Sequence, residues 1–287
     1  MERSGNTPQQ RIIKLYSVFR DPSVGRRSVV SGVSPLCHTQ TTLSNPLTHS
    51  QHNVMPSKQS IRRFMITRGK QKRPFYAILY GQPGVGKTTL AAQIPNSVFL
   101  DLEKGTDFLD VARFQPEGTI GEALEVLWDN QESFDTIVID SLTALETRHQ
   151  QEVCADKGWS NINALDYGKS RTQWKALFIK LIQGLDAFRA AGKNILIVAH
   201  MKMRDSKDAI SQEEYDQFSF DCDKELNQII LSHVDGCFFL TQKSVSKDDK
   251  LIGNGSRVLF TKNRPQYTAK SRWDLPEQIQ NPDASFW

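Results

Sequence analysis

Gly81-Gln82-Pro83-Gly84-Val85-Gly86-Lys87-Thr88 decides the reading of this 287-residue chain. It satisfies the pattern GxxxxGK[ST], with an apolar run at 75–80 leading into it and a helix-forming stretch at 88–93 leaving it. A backbone so rich in glycine can wrap an anion, meeting its oxygens with successive N–H groups and with the positive end of the following helix. Lys87 sets an ammonium among β- and γ-phosphates, and Thr88 supplies a hydroxyl for Mg²⁺, with Thr89 the lesser candidate. The expectation is an ATP and Mg²⁺ site lined by Gly81, Gln82, Pro83, Gly84, Val85, Gly86, Lys87, Thr88 and Thr89.

Outward from the loop, apolar runs at 75–80, 97–101, 136–140, 194–199, 234–240 and 257–261 alternate with longer helical patterns. That rhythm predicts an α/β fold, a mainly parallel sheet with helices on both faces. The clearest helix falls within 167–191, where Trp174, Leu177, Phe178, Leu181, Ile182, Leu185 and Phe188 recur at helical spacing as core positions, and Gly192 ends it. The run at 136–140 closes on Asp140, the candidate carboxylate for the water shell of Mg²⁺; a residue there also suits the N-cap of a following helix. Asp135, ahead of that run, reads as solvated. Past the strand at 97–101, Asp101 and Glu103 are the carboxylates available to orient an attacking water, Glu103 first and Asp101 second; as loop acids they also read as plain surface charge.

Charge is unevenly spread. The first 73 residues hold 13 Lys/Arg against Glu2 and Asp21, a balance of +11, while residues 74–287 hold 23 against 30 acids, a balance of −7. The net +4 therefore averages a basic arm and a mildly acidic globule, and gives no uniformly basic face for nucleic acid. Residues 1–64, rich in Ser, Thr, Gln, His and Pro, read as a disordered extension; their composition also resembles an organellar transit peptide with weak amphipathicity, and Met55 and Met65 stand as alternative starts. The domain expected from the pattern is 65–275, with 276–287 as a C-terminal tail. Cys37, Cys154, Cys222 and Cys237 form no CxxC pair, which suits reduced thiols in a cytoplasmic setting rather than zinc or disulfides. No stretch reaches the roughly 20 apolar residues of a membrane-spanning helix.

The order of P-loop, strand-Asp-x-Glu, strand-Asp-Ser and a strand ending Val198-Ala199-His200 resembles the RecA-like ATPase core over about 66–273. Within that class the chain looks most like the phage AAA-family nucleotide-binding proteins of the Sak single-strand-annealing group, to which Ile66-Thr67-Arg68-Gly69-Lys70 and Ala269-Lys270-Ser271-Arg272 contribute. The resemblance implies ATP hydrolysis in DNA recombination, annealing or replication. It makes Glu103 the water-activating residue and His200, in place of a Gln common in such proteins, a γ-phosphate sensor; a lone His at a strand end is also a common structural feature. It likens Lys270 and Arg272 to a pair that reaches a neighbour's site in a ring or filament of identical subunits, where charge alone reads them as a basic surface pair.

Single-stranded DNA has its best local candidates in the Arg-rich N-terminal arm and in 201–223, read as a loop, where Lys202, Arg204 and Lys207 stand near Tyr215, Phe218 and Phe220. Asp205, Asp208, Glu213, Glu214, Asp216, Asp221 and Asp223 in the same stretch tip the charge balance towards a solvated loop. Two other functions share the P-loop: a kinase of a small molecule or nucleotide, and a non-hydrolysing ATP switch that loads a protein onto DNA. A GTPase is disfavoured by the missing Asn-Lys-x-Asp, since Thr261-Lys262-Asn263-Arg264 lacks the Asp.

Overall fold

Five of the six apolar runs become parallel strands of one sheet in the computed structural model, which describes residues 68–207, 211–247 and 250–287. In chain order the strands are β1 (Tyr76–Gly81), β2 (Ser97–Asp101), β3 (Ala112–Phe114), β4 (Thr136–Asp140), β5 (Asn194–Lys207) and β6 (Glu214–Phe220). They continue with β7 (Gly236–Lys247), β8 (Lys250–Phe260), β9 (Lys270–Ser271) and β10 (Gln278–Gln280). The order across the sheet is β10-β8-β7-β1-β5-β4-β2-β3, with β6 on β5 and β9 on β7. Pairing from β7 through β3 is parallel; β6, β8, β9 and β10 run antiparallel to their partners. The basic arm, 1–64, lies outside the described residues, as does Asp208.

Strands β1 and β4 are buried along their whole length, as near-continuous apolar runs in a parallel sheet require. Tyr76, Ile78 and Tyr80 face one core, with residues of five helices: α2 (Ile120–Asp129), α3 (Leu142–Lys157), α4 (Lys169–Gly184), α5 (Asp186–Ala190) and α6 (Lys224–His233). Ala77 and Leu79 face the other core, where the short α1 (Lys87–Ala91) is the one α-helix among the described residues and the C-terminal Leu275, Ile279, Phe286 and Trp287 pack. Helices thus lie on both faces, as expected, but very unequally. The local signals are strong. Thr119 and Glu122 form a capping box at α2, Ser141 caps α3, and Gly158 ends α3 at φ 66°. The helix expected within 167–191 is two, α4 and α5, interrupted at Leu185; Trp174, Phe178, Leu181, Ile182, Leu185 and Phe188 are buried.

Two segments depart from the reading of the sequence. The stretch 201–223 is no loop: β5 continues past its buried part and pairs antiparallel with β6, from Met201↔Phe220 to Lys207↔Glu214. Its dense charge conceals strand alternation, because Lys207 and Glu214 pair across the two strands at 3.1 Å. Residues 276–287, set apart as a tail, supply edge strand β10 on β8 and the aromatic pair Phe286 and Trp287 of the smaller core. Among the described residues no helix is long and apolar enough to cross a membrane.

Candidate nucleotide site

Parallel pairing brings the carboxyl ends of four strands to one edge, the position where open α/β sheets bind ligands. The register sets Gly81 of β1 beside His200 of β5, and Asp101 of β2 beside Asp140 of β4. The loop leaves β1 at Gly81, where a Cβ would lie 2.0 Å from the carbonyl oxygen of Leu240, so only glycine allows β7 this close. Val85 anchors the loop in the smaller core, while Gln82, Pro83 and Gly84 are exposed. Gly86, at φ 89°, occupies the N-cap of α1 without a side chain, and the first-turn amides are left for a ligand rather than for a cap.

Lys87 is buried beneath the loop, and its Nζ donates to the carbonyls of Gly81 (3.1 Å) and Gln82 (2.9 Å). Burial lowers its pKa, against the pull of the Asp140 and Glu103 carboxylates. The Thr88 hydroxyl donates to Asp140 Oδ2 at 2.7 Å; Thr89 is exposed. Burial raises the pKa of Asp140, the Thr88 hydrogen bond opposes the rise, and the Glu103 and Asp101 carboxylates add to it. A hydroxyl and a carboxylate held together beneath an amide-lined loop are hard oxygen donors, the chemistry Mg²⁺ takes, so these residues fit that ion and a polyphosphate. The N-cap of α3 is Ser141, not Asp140, which frees Asp140 for this role.

Glu103 stands in the loop after β2 and joins three elements. Its Oε1 accepts a short hydrogen bond from the Ser141 hydroxyl, and His200 Nε2 lies 3.2 and 3.3 Å from its two oxygens. Ser141 was overlooked as a site residue, although Asp140-Ser141 is legible in the sequence; its Oγ also accepts the Ala144 amide, so the cap of α3 and the Glu103 contact share one atom. The peptide bond between Asp140 and Ser141 is cis. Asp101, the second candidate, is corrected. Burial works against its charge, yet bonds from Thr106, Gln115 and the amides of Thr106 and Gly105 outweigh burial and lower its pKa, so its oxygens are spent shaping the loop around Glu103.

Lys270 and Arg272 are not brought to the loop. Pairing of β9 with Gly236 and Cys237 places them towards the start of β7, away from Leu240, which lies beside Gly81. Lys270 Nζ donates to the carbonyls of Leu231 (2.7 Å) and Val234 (2.8 Å) at the end of α6. Arg272 joins Arg73 and Arg189 on the buried carboxylate of Asp235, at 2.8 Å from Oδ1. Both side chains are thereby engaged inside their own subunit.

Two of the three aromatic residues expected to stack on bases, Phe218 and Phe220, are also engaged, while Tyr215 is half-buried on β6. Phe220 is fully buried, and Phe218 stacks on Phe239 with ring centroids 6.1 Å apart. Lys202 pairs with Asp221 at 3.2 Å, and Arg204 donates to the Cys222 carbonyl at 2.6 Å. A residue that the sequence did not single out, Arg257 of β8, lies against the loop instead, with its guanidinium 3.5 Å from the Gly86 carbonyl.

Among solved structures, the RadB recombinase is 17% identical, over 72% of this chain and 86% of that chain, at a TM-score of 0.40. The flagellar accessory protein FlaH from Methanocaldococcus jannaschii is 10% identical, over 72% and 84%, also at 0.40. No curated protein matches the sequence. The family model described as the AAA domain matches residues 73–273, which include the loop, Glu103, Asp140 and His200. The chain belongs to the AAA domain family.

Proposed function

We propose that this protein is a Mg-dependent ATPase of the RecA-like type, with Lys87, Thr88 and Asp140 holding the nucleotide and Glu103 directing the attacking water. The observation that carries the reading is the convergence of Thr88 with Asp140 and of Glu103 with His200 at the carboxyl ends of three strands next to the loop. Bound at Thr88 and Asp140, Mg²⁺ would polarise the terminal phosphate and neutralise its developing charge. Lys87, already stripped of water, exchanges its contacts with Gly81 and Gln82 for phosphate oxygens. Glu103 accepts a proton from the water, and its contacts with Ser141 and His200 hold the carboxylate in line. The sensor reading of His200 is supported by its register beside Gly81 and its contact with Glu103.

The finer role, hydrolysis coupled to single-stranded DNA in phage-type recombination or annealing by an oligomer, is carried by the motif resemblance. The test is Mg-dependent ATP turnover by the full chain and by Lys87→Ala, with and without single-stranded DNA. Turnover lost in the variant supports the ATPase, and stimulation by DNA supports the recombination role. Phosphate delivered to a small acceptor would replace both with the kinase. Tight ATP binding without turnover would replace them with the switch.

A further inference from the structure

We propose that Arg257 is a phosphate-contacting residue of its own subunit's nucleotide site, an inference that rests on the nucleotide-binding reading of the loop. Strand β8 lies two strands from β1 across β7, about 10 Å away, so the loop leaving β1 and a long side chain on β8 each cover part of that distance. Arg257 does so: Nη1 lies 3.5 Å from the Gly86 carbonyl and would lie 2.8 Å from a Cβ placed on Gly86. The absent side chain of Gly86 thus leaves room for the guanidinium as well as for the turn.

The arginine is held from behind by the C-terminal segment. Its amide donates to Asn281 Oδ1 at 2.9 Å, its carbonyl accepts from the Asn281 amide at 2.7 Å, and Nη2 faces the Pro282 carbonyl at 3.4 Å. The same segment ends on α1, where Trp287 Nε1 donates to the Leu90 carbonyl at 3.1 Å. Backbone and stem are therefore fixed relative to the loop, while the guanidinium itself rests on two carbonyls near the outer limit of hydrogen bonding. It is half-buried and makes no ion pair among the described residues. Five N–H donors with two weak acceptors are poorly satisfied, and a planar fork of this kind matches phosphate oxygens.

To meet a polyphosphate seated on the Gly86, Lys87 and Thr88 amides, the fork would turn from the Gly86 carbonyl, which also accepts the Leu90 amide, towards the amide side of the same residue. Arg257 then supplies a second cation beside Lys87 from within the same subunit, whose Lys270 and Arg272 are engaged at the start of β7. The chemistry recognised is the phosphate chain, so the contact favours the triphosphate over the bare nucleoside.

The experiment measures equilibrium binding of MgATP, MgADP and adenosine to the full chain and to Arg257→Ala, Arg257→Lys and Asn281→Ala, with nucleotide-free melting curves for each. Arg257→Ala is expected to weaken MgATP binding about ten- to a hundred-fold, to leave adenosine binding and the melting temperature close to wild type, and to be partly rescued by Arg257→Lys. Asn281→Ala loosens the brace and keeps the guanidinium, so it should cost stability more than affinity. MgATP binding by Arg257→Ala equal to wild type would overturn the proposal, and so would an affinity loss that Asn281→Ala reproduces alongside an equal drop in melting temperature. Wild-type protein that binds no MgATP would instead overturn the nucleotide-site reading beneath it.

Discussion

The hydroxyl of Thr88 donates to Asp140 Oδ2 at 2.7 Å, joining the first turn of α1 to the end of β4 across 52 residues of sequence. This bond joins the two side chains that would share an ion, and burial raises the pKa of the Asp140 carboxyl above its ordinary value. Replacing Asp140 by Asn removes charge and retains shape. MgATP affinity should fall by about tenfold or more, while binding measured in excess chelator should barely change. A nucleotide titration with and without Mg²⁺ checks this, and an equal loss under both conditions would deny Asp140 its metal role.

Glu103 meets both Ser141 and His200, and the three should not contribute equally. Glu103→Gln keeps the shape and loses the base, so turnover should drop by about a hundredfold or more with MgATP binding retained. His200→Ala and Ser141→Ala release the carboxylate from its supports, the second also removing the cap of α3, and about a tenfold loss of turnover per folded subunit is expected for each. Because both act through Glu103, adding either substitution to Glu103→Gln should cost little more. Additive losses in single-turnover kinetics would show separate roles.

Asp235 is buried and accepts from Arg73, Arg189 and Arg272. Removing it strands three cations, of which Arg189 is the most buried, and Asp235→Ala should destabilise the fold by about 3 kcal/mol or more. Arg272→Ala, at a half-exposed side chain, should cost no more than about 1 kcal/mol and leave turnover per folded subunit within about twofold. Urea denaturation and an ATPase assay on the same samples check both numbers. A dead but fully stable Arg272→Ala protein would restore the finger reading of this residue.

Two titrating groups on α3 oppose one another. Burial pushes the carboxyl of Glu146 up to about 7, against the hydrogen bond from the Asp223 amide, and burial drives His149 down to about 4. The stability tied to Glu146 is fully present below the ordinary carboxyl range and is lost as pH rises through about 7. That tied to His149 is present above the ordinary imidazole range and is lost as pH falls through about 4. Glu146→Gln should therefore flatten the alkaline limb of a stability–pH curve, by at most about 3 kcal/mol at pH 8. His149→Gln should flatten the acid limb by a similar bound. Chemical denaturation at pH 5, 6.5 and 8 separates the two, and parallel curves for wild type and variants would refute both.

What this sequence determined alone is local. The glycine spacing of 81–88, the apolar runs that became β1, β2, β4, β5 and β7, and the caps at Thr119 and Gly158 are readable because each depends on neighbours within a turn or a strand. Asp140 and Glu103 were legible for the same reason, as carboxylates placed just past apolar runs. Tertiary structure decided what those side chains, and others like them, are free to do. Asp101 and Glu103 differ by two positions, yet the first is bound by three donors from its own loop and by Gln115 beyond β3, and the second faces Ser141 and His200. Lys270 and Arg272 look like free surface cations until the pairing of β9 with β7 puts them on the end of α6 and on Asp235. Arg257 carries no signal at all until β8 is laid beside β7, because its partner Gly86 lies 171 residues away. Which partner satisfies a charge is a matter of long-range register, and register depends on the pairing of whole strands rather than on any residue's neighbours in the chain.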